Sequence, residues 1–259
     1  MSLTVTKLTL SVPSELGIRT KLLDQLTFSA RAGELISVFG PSGCGKTTFL
    51  RALGGLDPQG ENAISIDGQA PSAALRNGRI AFAFQQPTLL PWISAKRNAG
   101  WLAELRSPQG IFPQNIVDEL WNEFQLKRDQ QRRLPGHMSG GERQRVALIR
   151  ALAYTKASVY LLDEPLSGVG AASRRDRLVY VRRSLKSRGA IAFLVTHDPV
   201  DAVRFGDRVF RFPSAYAVPT SLWTEMEERA CTCATHNPTE GRIHSESCVE
   251  DAAKELVAL

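Results

Sequence analysis

Apolar and polar positions alternate along the first thirty residues, then give way to a mainly apolar run. T-V-T-K-L-T-L-S-V (4–12) and K-L-L-D-Q-L-T-F-S-A (21–30) predict two half-buried strands. L-I-S-V-F (35–39), ending on Gly40, predicts a strand covered on both faces, as in a parallel sheet. Helical spacing takes over at 47–53, and A-I-S-I-D-G (63–68) and R-I-A-F-A-F (79–84) return to strand character. From Gln85 to about Lys156 the pattern is helical, with I-V-D-E-L-W-N-E-F (116–124) as one helix and 142–154 as another. S-V-Y-L-L-D (158–163), a charged helix at 173–188 and A-I-A-F-L-V-T-H (190–197) then form a strand, helix, strand unit, which predicts parallel pairing. Beyond Phe212 the periodicity fades. A helix over 222–229 and an amphipathic one near 248–259 are the only elements expected of that appendage.

Composition narrows the class without naming it. With 259 residues, 43% hydrophobic and 22% charged, the chain can bury a large core as one compound domain. A net charge of +6 would suit nucleic acid, yet Lys and Arg form no dense block, so a solvated surface and no nucleic-acid partner are expected. No apolar run reaches the roughly 18 residues of a membrane span. The first twelve residues alternate where a signal peptide would be continuously apolar, so a cytosolic chain is expected. Cys44 lies in a glycine-rich loop and the other three cysteines lie near the C-terminus, which offers no disulfide framework.

The chemistry sits where apolar strands end. G-P-S-G-C-G-K-T at 40–47 fits the phosphate-cradling pattern G-x-x-x-x-G-K-[ST], between a buried strand and a helix as that pattern requires. Gly40, Ser42, Gly43, Cys44 and Gly45 offer backbone N–H groups in the nucleotide-binding loop they form with Pro41, and Lys46 reaches the β- and γ-phosphates of a nucleoside triphosphate. Thr47 offers a hydroxyl to Mg²⁺, and Thr48 after it is expected to help bind the nucleotide. Asp163, closing V-Y-L-L, is placed to hold the metal, and Glu164 beside it to orient and deprotonate a water. His197, closing A-F-L-V-T, is placed to donate to the γ-phosphate; Gln85, closing R-I-A-F-A-F, could touch both Mg²⁺ and the lytic water. A second glycine pair, M-S-G-G-E at 138–142, has the character of another anion-holding loop.

Five motifs in this order resemble the ATPase subunits of ABC transporters: residues 40–48, F-Q-Q (84–86), S-G-G-E (139–142), L-L-D-E-P (161–165) and V-T-H-D (195–198). The likeness covers about residues 3–212. It implies an α/β P-loop NTPase fold with a mixed, mainly parallel core sheet, an N-terminal antiparallel β subdomain and a helical subdomain at about 86–157, followed by an extension at 213–259. It further implies that Ser139, Gly140, Gly141 and Glu142 form the signature loop, which binds the γ-phosphate of ATP held by a second subunit. An ATP-dependent dimer of identical chains, an integral membrane permease and a solute-binding protein are the implied partners, with the chain on the cytoplasmic face of the membrane. Q-Q-P-T-L-L-P-W (85–92) resembles importers of nitrate, sulfonates and taurine. Leu89, Leu90 and Trp92 are either exposed contacts for the permease or part of the helical subdomain's core.

The family pattern is broken twice. Residues 11–23 contain no aromatic to stack on adenine. G-V-G at 168–170 stands where the family commonly has A-L-D, so the aspartate expected at Gly170 is missing. Cys231, Cys233, His236, His244 and Cys248 could together ligate Zn²⁺, although their spacing is irregular. Two rival functions remain in view: a soluble ABC ATPase of DNA repair or translation, and a weakly hydrolysing nucleotide sensor.

Overall fold

The computed structural model describes residues 1–13, 19–167 and 169–212, and in the C-terminal extension 235–237, 241–243, 250, 253, 254 and 257. The chain divides into two compact units, Met1–Asn77 with Leu178–Leu259, and Gly78–Arg177.

In the first unit, β1 (Ser2–Pro13) lies between β2 (Arg19–Arg31) and β4 (Ile64–Ile66) in an antiparallel sheet. Leu3 and Val5, then Leu8 and Leu10, are buried. The beat slips at Lys7, whose φ of 52° marks the extra residue of a register shift matched by Gln25 at 54° on β2. β3 (Leu35–Phe39) pairs in parallel with β7 (Ile191–Thr196) on one side and β8 (Arg208–Arg211) on the other, which explains its continuous apolar sequence. Below the strand ends lies an aromatic cluster: the Phe49 ring stands 5.6 Å from Phe212 and 6.2 Å from Phe193, and Phe28 stands 4.9 Å from Phe210. The helices here are α1 (Lys46–Leu53), α2 (Pro71–Arg76) and α7 (Pro199–Phe205).

In the second unit, β5 (Ile80–Ala83) and β6 (Val159–Asp163) pair in parallel. Around them lie α3 (Ala95–Leu105), α4 (Gln114–Glu123) and α5 (Gly140–Ala153), and α6 (Ala171–Ser187) begins. Val117, Leu120, Trp121 and Phe124 are buried at the i, i+3, i+4, i+7 positions that predicted α4. Most of the extension, including the expected helix at 222–229 and the five candidate zinc ligands' side chains, lies outside the described residues. Thr235–Asn237 and Gly241–Ile243 pair as two short antiparallel strands. No helix among the described residues is long and apolar enough to cross a membrane.

Candidate functional site

In the first unit the phosphate loop grows from the end of β3. Phe212 N donates to Phe39 O at 2.7 Å, and a Cβ on Gly40 would come within 2.9 Å of both Phe212 Cβ and Phe212 O, so only glycine fits there. Gly43 and Gly45 take φ of 80° and 102°, which turns the loop into the first turn of α1. Gly45 also abuts Leu22 of β2, whose Cδ1 would lie 2.7 Å from an added Cβ. Lys46, only 5% exposed, donates through Nζ to Gly40 O (2.8 Å) and Pro41 O (2.7 Å). Its ammonium is thereby held over the loop, at the helix end that carries positive partial charge. Space around Gly43, left-handed glycines, a helix N-terminus and an inward ammonium are what a triphosphate requires. Cys44 is buried and burial pushes its thiol pKa up, so it serves the loop as a neutral side chain and a backbone N–H. Pro41, Ser42 and Thr47 are exposed and Thr48 is half-buried.

His197 is exposed at the carboxyl end of β7, on a turn fixed from both sides. Thr196 Oγ1 accepts from Asp198 N at 3.0 Å, and Asp198 Oδ1 accepts from Val200 N at 2.9 Å and Asp201 N at 3.3 Å, capping α7.

The second unit carries the two carboxylates, Gln85 and the S-G-G-E stretch expected to be the signature loop. Asp163 ends β6 and is 3% exposed. Glu164 is half-buried, with φ of 44°, a left-handed conformation that costs a residue with a side chain about 1–3 kcal/mol. Its carbonyl accepts from Gln144 Nε2 at 2.5 Å. Gln85 is exposed just past β5, beyond the stacked rings of Phe82 and Phe84, 4.6 Å apart. The loop it opens is tied down twice. Arg150 of α5, 8% exposed, donates to Thr88 O at 2.6 Å and Thr88 Oγ1 at 3.0 Å. Asn98, fully buried, accepts from Leu90 N at 2.7 Å and donates to Leu90 O at 3.0 Å. Leu89 and Leu90 are half-buried while Trp92 is 71% exposed.

Ser139 is the N-cap of α5, which starts on Gly140 rather than at the expected Glu142. Ser139 Oγ accepts from Glu142 N at 3.3 Å and Glu142 Oε2 accepts from Ser139 N at 2.7 Å, a reciprocal cap. Gln130, itself buried, donates to the other Glu142 oxygen. Ser139 and Gly140 are exposed and Gly141 is half-buried, so a hydroxyl and the leading N–H groups of a long helix face outward.

A family model described as ABC transporter matches residues 23–167, more than half of the chain. The chain belongs to the ABC transporter family. It is 36% identical over 196 residues to the aliphatic sulfonates import ATP-binding protein SsuB 2 of Burkholderia cenocepacia (strain HI2424), covering 74% of this chain and 68% of that protein. With the SsuB 2 protein of Pseudomonas syringae pv. tomato it shares 34% over 236 residues, covering 88% and 91%. Among solved structures, the dimeric post-hydrolysis state of the ATP-binding cassette MJ0796, bound to ADP and Pi, superposes with a TM-score of 0.72 at 25% identity, over 81% of this chain and 94% of that one.

In this ABC transporter chain three features escaped sequence reasoning. Phe212 as the seat of Gly40 lies 172 residues away in sequence, where no local pattern points to it. The Arg150 clamp and the Gln144 contact come from polar residues on a helix, which read as solvated until the helix is found to be buried all round. The Asp198 cap, by contrast, was open to view as Asp followed by Pro at the first helical position.

Proposed function

We propose that the chain is the ATP-hydrolysing subunit of an importer for a small anionic solute of the sulfonate type. It works as an ATP-bridged dimer on the cytoplasmic face of a separate membrane permease, which a solute-binding protein supplies. The observation that carries this reading is the phosphate loop, with Gly43 and Gly45 left-handed and Lys46 turned inward on it. The sulfonate import relatives support the solute class.

Lys46 and the loop N–H groups bind the β- and γ-phosphates, and Thr47, Asp163 and Gln85 are the residues that would hold Mg²⁺. The ion supplies neutralisation of the charge on the transferred phosphoryl group. Glu164 accepts a proton from water as the water oxygen bonds to the γ-phosphorus and the bond to the bridging oxygen breaks, giving ADP and phosphate. His197 donates a hydrogen bond to the γ-phosphate. Ser139, Gly140 and Gly141, held by Glu142, read the γ-phosphate bound by the other chain, so two nucleotides lie between two chains related by a two-fold axis.

Glu164→Gln tests the arrangement, because it keeps shape and removes the base. With ATP and Mg²⁺ this variant is expected to give a stable dimer in light scattering. Adding Ser139→Arg is expected to abolish the dimer while ATP still binds the single chain. Loss of ATP binding by the monomeric double variant would instead assign the signature loop to its own chain's nucleotide and overturn the sandwich.

A further inference from the structure

The cap that places Ser139 and the backbone that aims Glu164 belong to one hydrogen-bonded assembly, and its link is Gln144. This residue stands on α5 five positions after Ser139 and is 7% exposed. Its Nε2 donates to Glu164 O at 2.5 Å and to Ser167 Oγ at 2.8 Å, and its Oε1 accepts from Ser167 Oγ at 3.0 Å. Glu164 O also accepts from Ser167 N at 3.2 Å, closing the turn after β6. Both oxygens of that turn are therefore gripped by one amide from another element. The gripped residue is the one whose backbone is left-handed, at φ 44°, immediately before Pro165. A side chain in that conformation keeps its direction only while the surrounding bonds hold the peptide.

We propose that Gln144 is a positioning residue, which ties the aim of the Glu164 carboxylate to the position of the signature helix. The inference rests on the reading of Glu164 as general base given above. Its consequence is a route within one chain between two nucleotides. When the first turn of α5 engages the γ-phosphate on the partner, any shift of the helix is passed by the Gln144 amide to the base that acts on this chain's own ATP. A positioning amide and a plain structural tie make the same hydrogen bonds. The difference lies in what its loss does to turnover when binding and folding are intact.

The test uses the full chain with ATP and Mg²⁺. Gln144→Leu keeps the bulk and removes the amide. Turnover is expected to fall about tenfold or more, with KM for ATP within about twofold, as misaimed catalytic groups do. Placed on Glu164→Gln, the same substitution is expected to lower the residual rate by less than about twofold, because the group it aims is already gone. Turnover within about twofold of the parent chain, or a loss that multiplies in full onto Glu164→Gln, overturns the proposal. If Gln144→Leu shows no cooperative melting transition, Ser167→Ala carries the test. A fall in turnover of about threefold or more at unchanged KM supports the link, and unchanged turnover sinks it. Should Glu164→Gln itself retain full turnover, the general-base reading fails and the positioning role with it. That outcome is distinct from one in which only Gln144 proves silent.

Discussion

At Gly170 a Cβ would meet nothing within 4 Å, so an aspartate enters that exposed position without steric cost. The ABC family commonly carries the carboxylate there, where it helps couple the two ATP sites. Gly170→Asp is expected to raise turnover or its Hill coefficient in steady-state ATPase assays, by a coupling of about 1 kcal/mol. An identical rate and Hill coefficient would show that this loop communicates by other means. The base end of the nucleotide makes a second prediction. Without an aromatic in 11–23, adenine loses a stacking contribution of about 0.5–1.5 kcal/mol, so GTP is expected to compete with ATP to within about a hundredfold in equilibrium binding. A larger preference for ATP would require another residue to read the base. Candidate site residues stand out in the sequence because their types are rare in such places: a carboxylate pair or a histidine at the end of an apolar strand is conspicuous. The left-handed backbone of Glu164 was not, since no residue type there announces a positive φ.

Among the elements, those with long uninterrupted patterns were legible and short ones were not. β3, β6 and β7 are five- or six-residue runs buried at nearly every position, and α4 shows four apolar residues on one face. β8 is four residues, R-V-F-R, with one apolar pair between arginines, too few for alternation to register. Besides apolar packing through Ala202, Phe205 and Val209, β8 and α7 are tied electrostatically. Asp207, between them, accepts from Leu35 N at 2.9 Å, Arg182 Nη2 at 2.7 Å and Lys186 Nζ at 2.7 Å. Burial alone would raise its pKa, but the two cations and the backbone N–H outweigh burial and hold the carboxyl below its ordinary 3.8. A carboxyl depressed on folding stabilises the fold fully above its unfolded pKa, and that contribution is lost as pH falls through the lower folded value. Asp207→Asn is therefore expected to cost about 1 kcal/mol in urea unfolding at pH 7. The cost is expected to shrink steadily below about pH 4. A cost that stays constant down to pH 2 would mean that folding does not depress the Asp207 pKa.

For the whole molecule, ATP binding at the proposed phosphate loop would be linked to folding, because that loop is built from distant pieces: Gly40 against Phe212, Gly45 against Leu22, and Lys46 back onto the loop. ATP at a hundred times its dissociation constant is expected to stabilise the chain by about 2.7 kcal/mol. That corresponds to a rise of roughly 5–10 °C in the melting temperature, expected to disappear in Lys46→Ala. An equal rise in that variant would place the bound nucleotide elsewhere. Phe212 also has a mechanical meaning. It is the last described residue before the 47-residue extension, and its Cβ and carbonyl oxygen press against the first glycine of the loop. The chain thus leaves the described body at the floor of the proposed triphosphate cradle. Truncation after Phe212 should leave ATP affinity intact, whereas truncation after Arg211, one residue shorter, should unseat Gly40 and weaken binding, a contrast that titration with ATP reads directly.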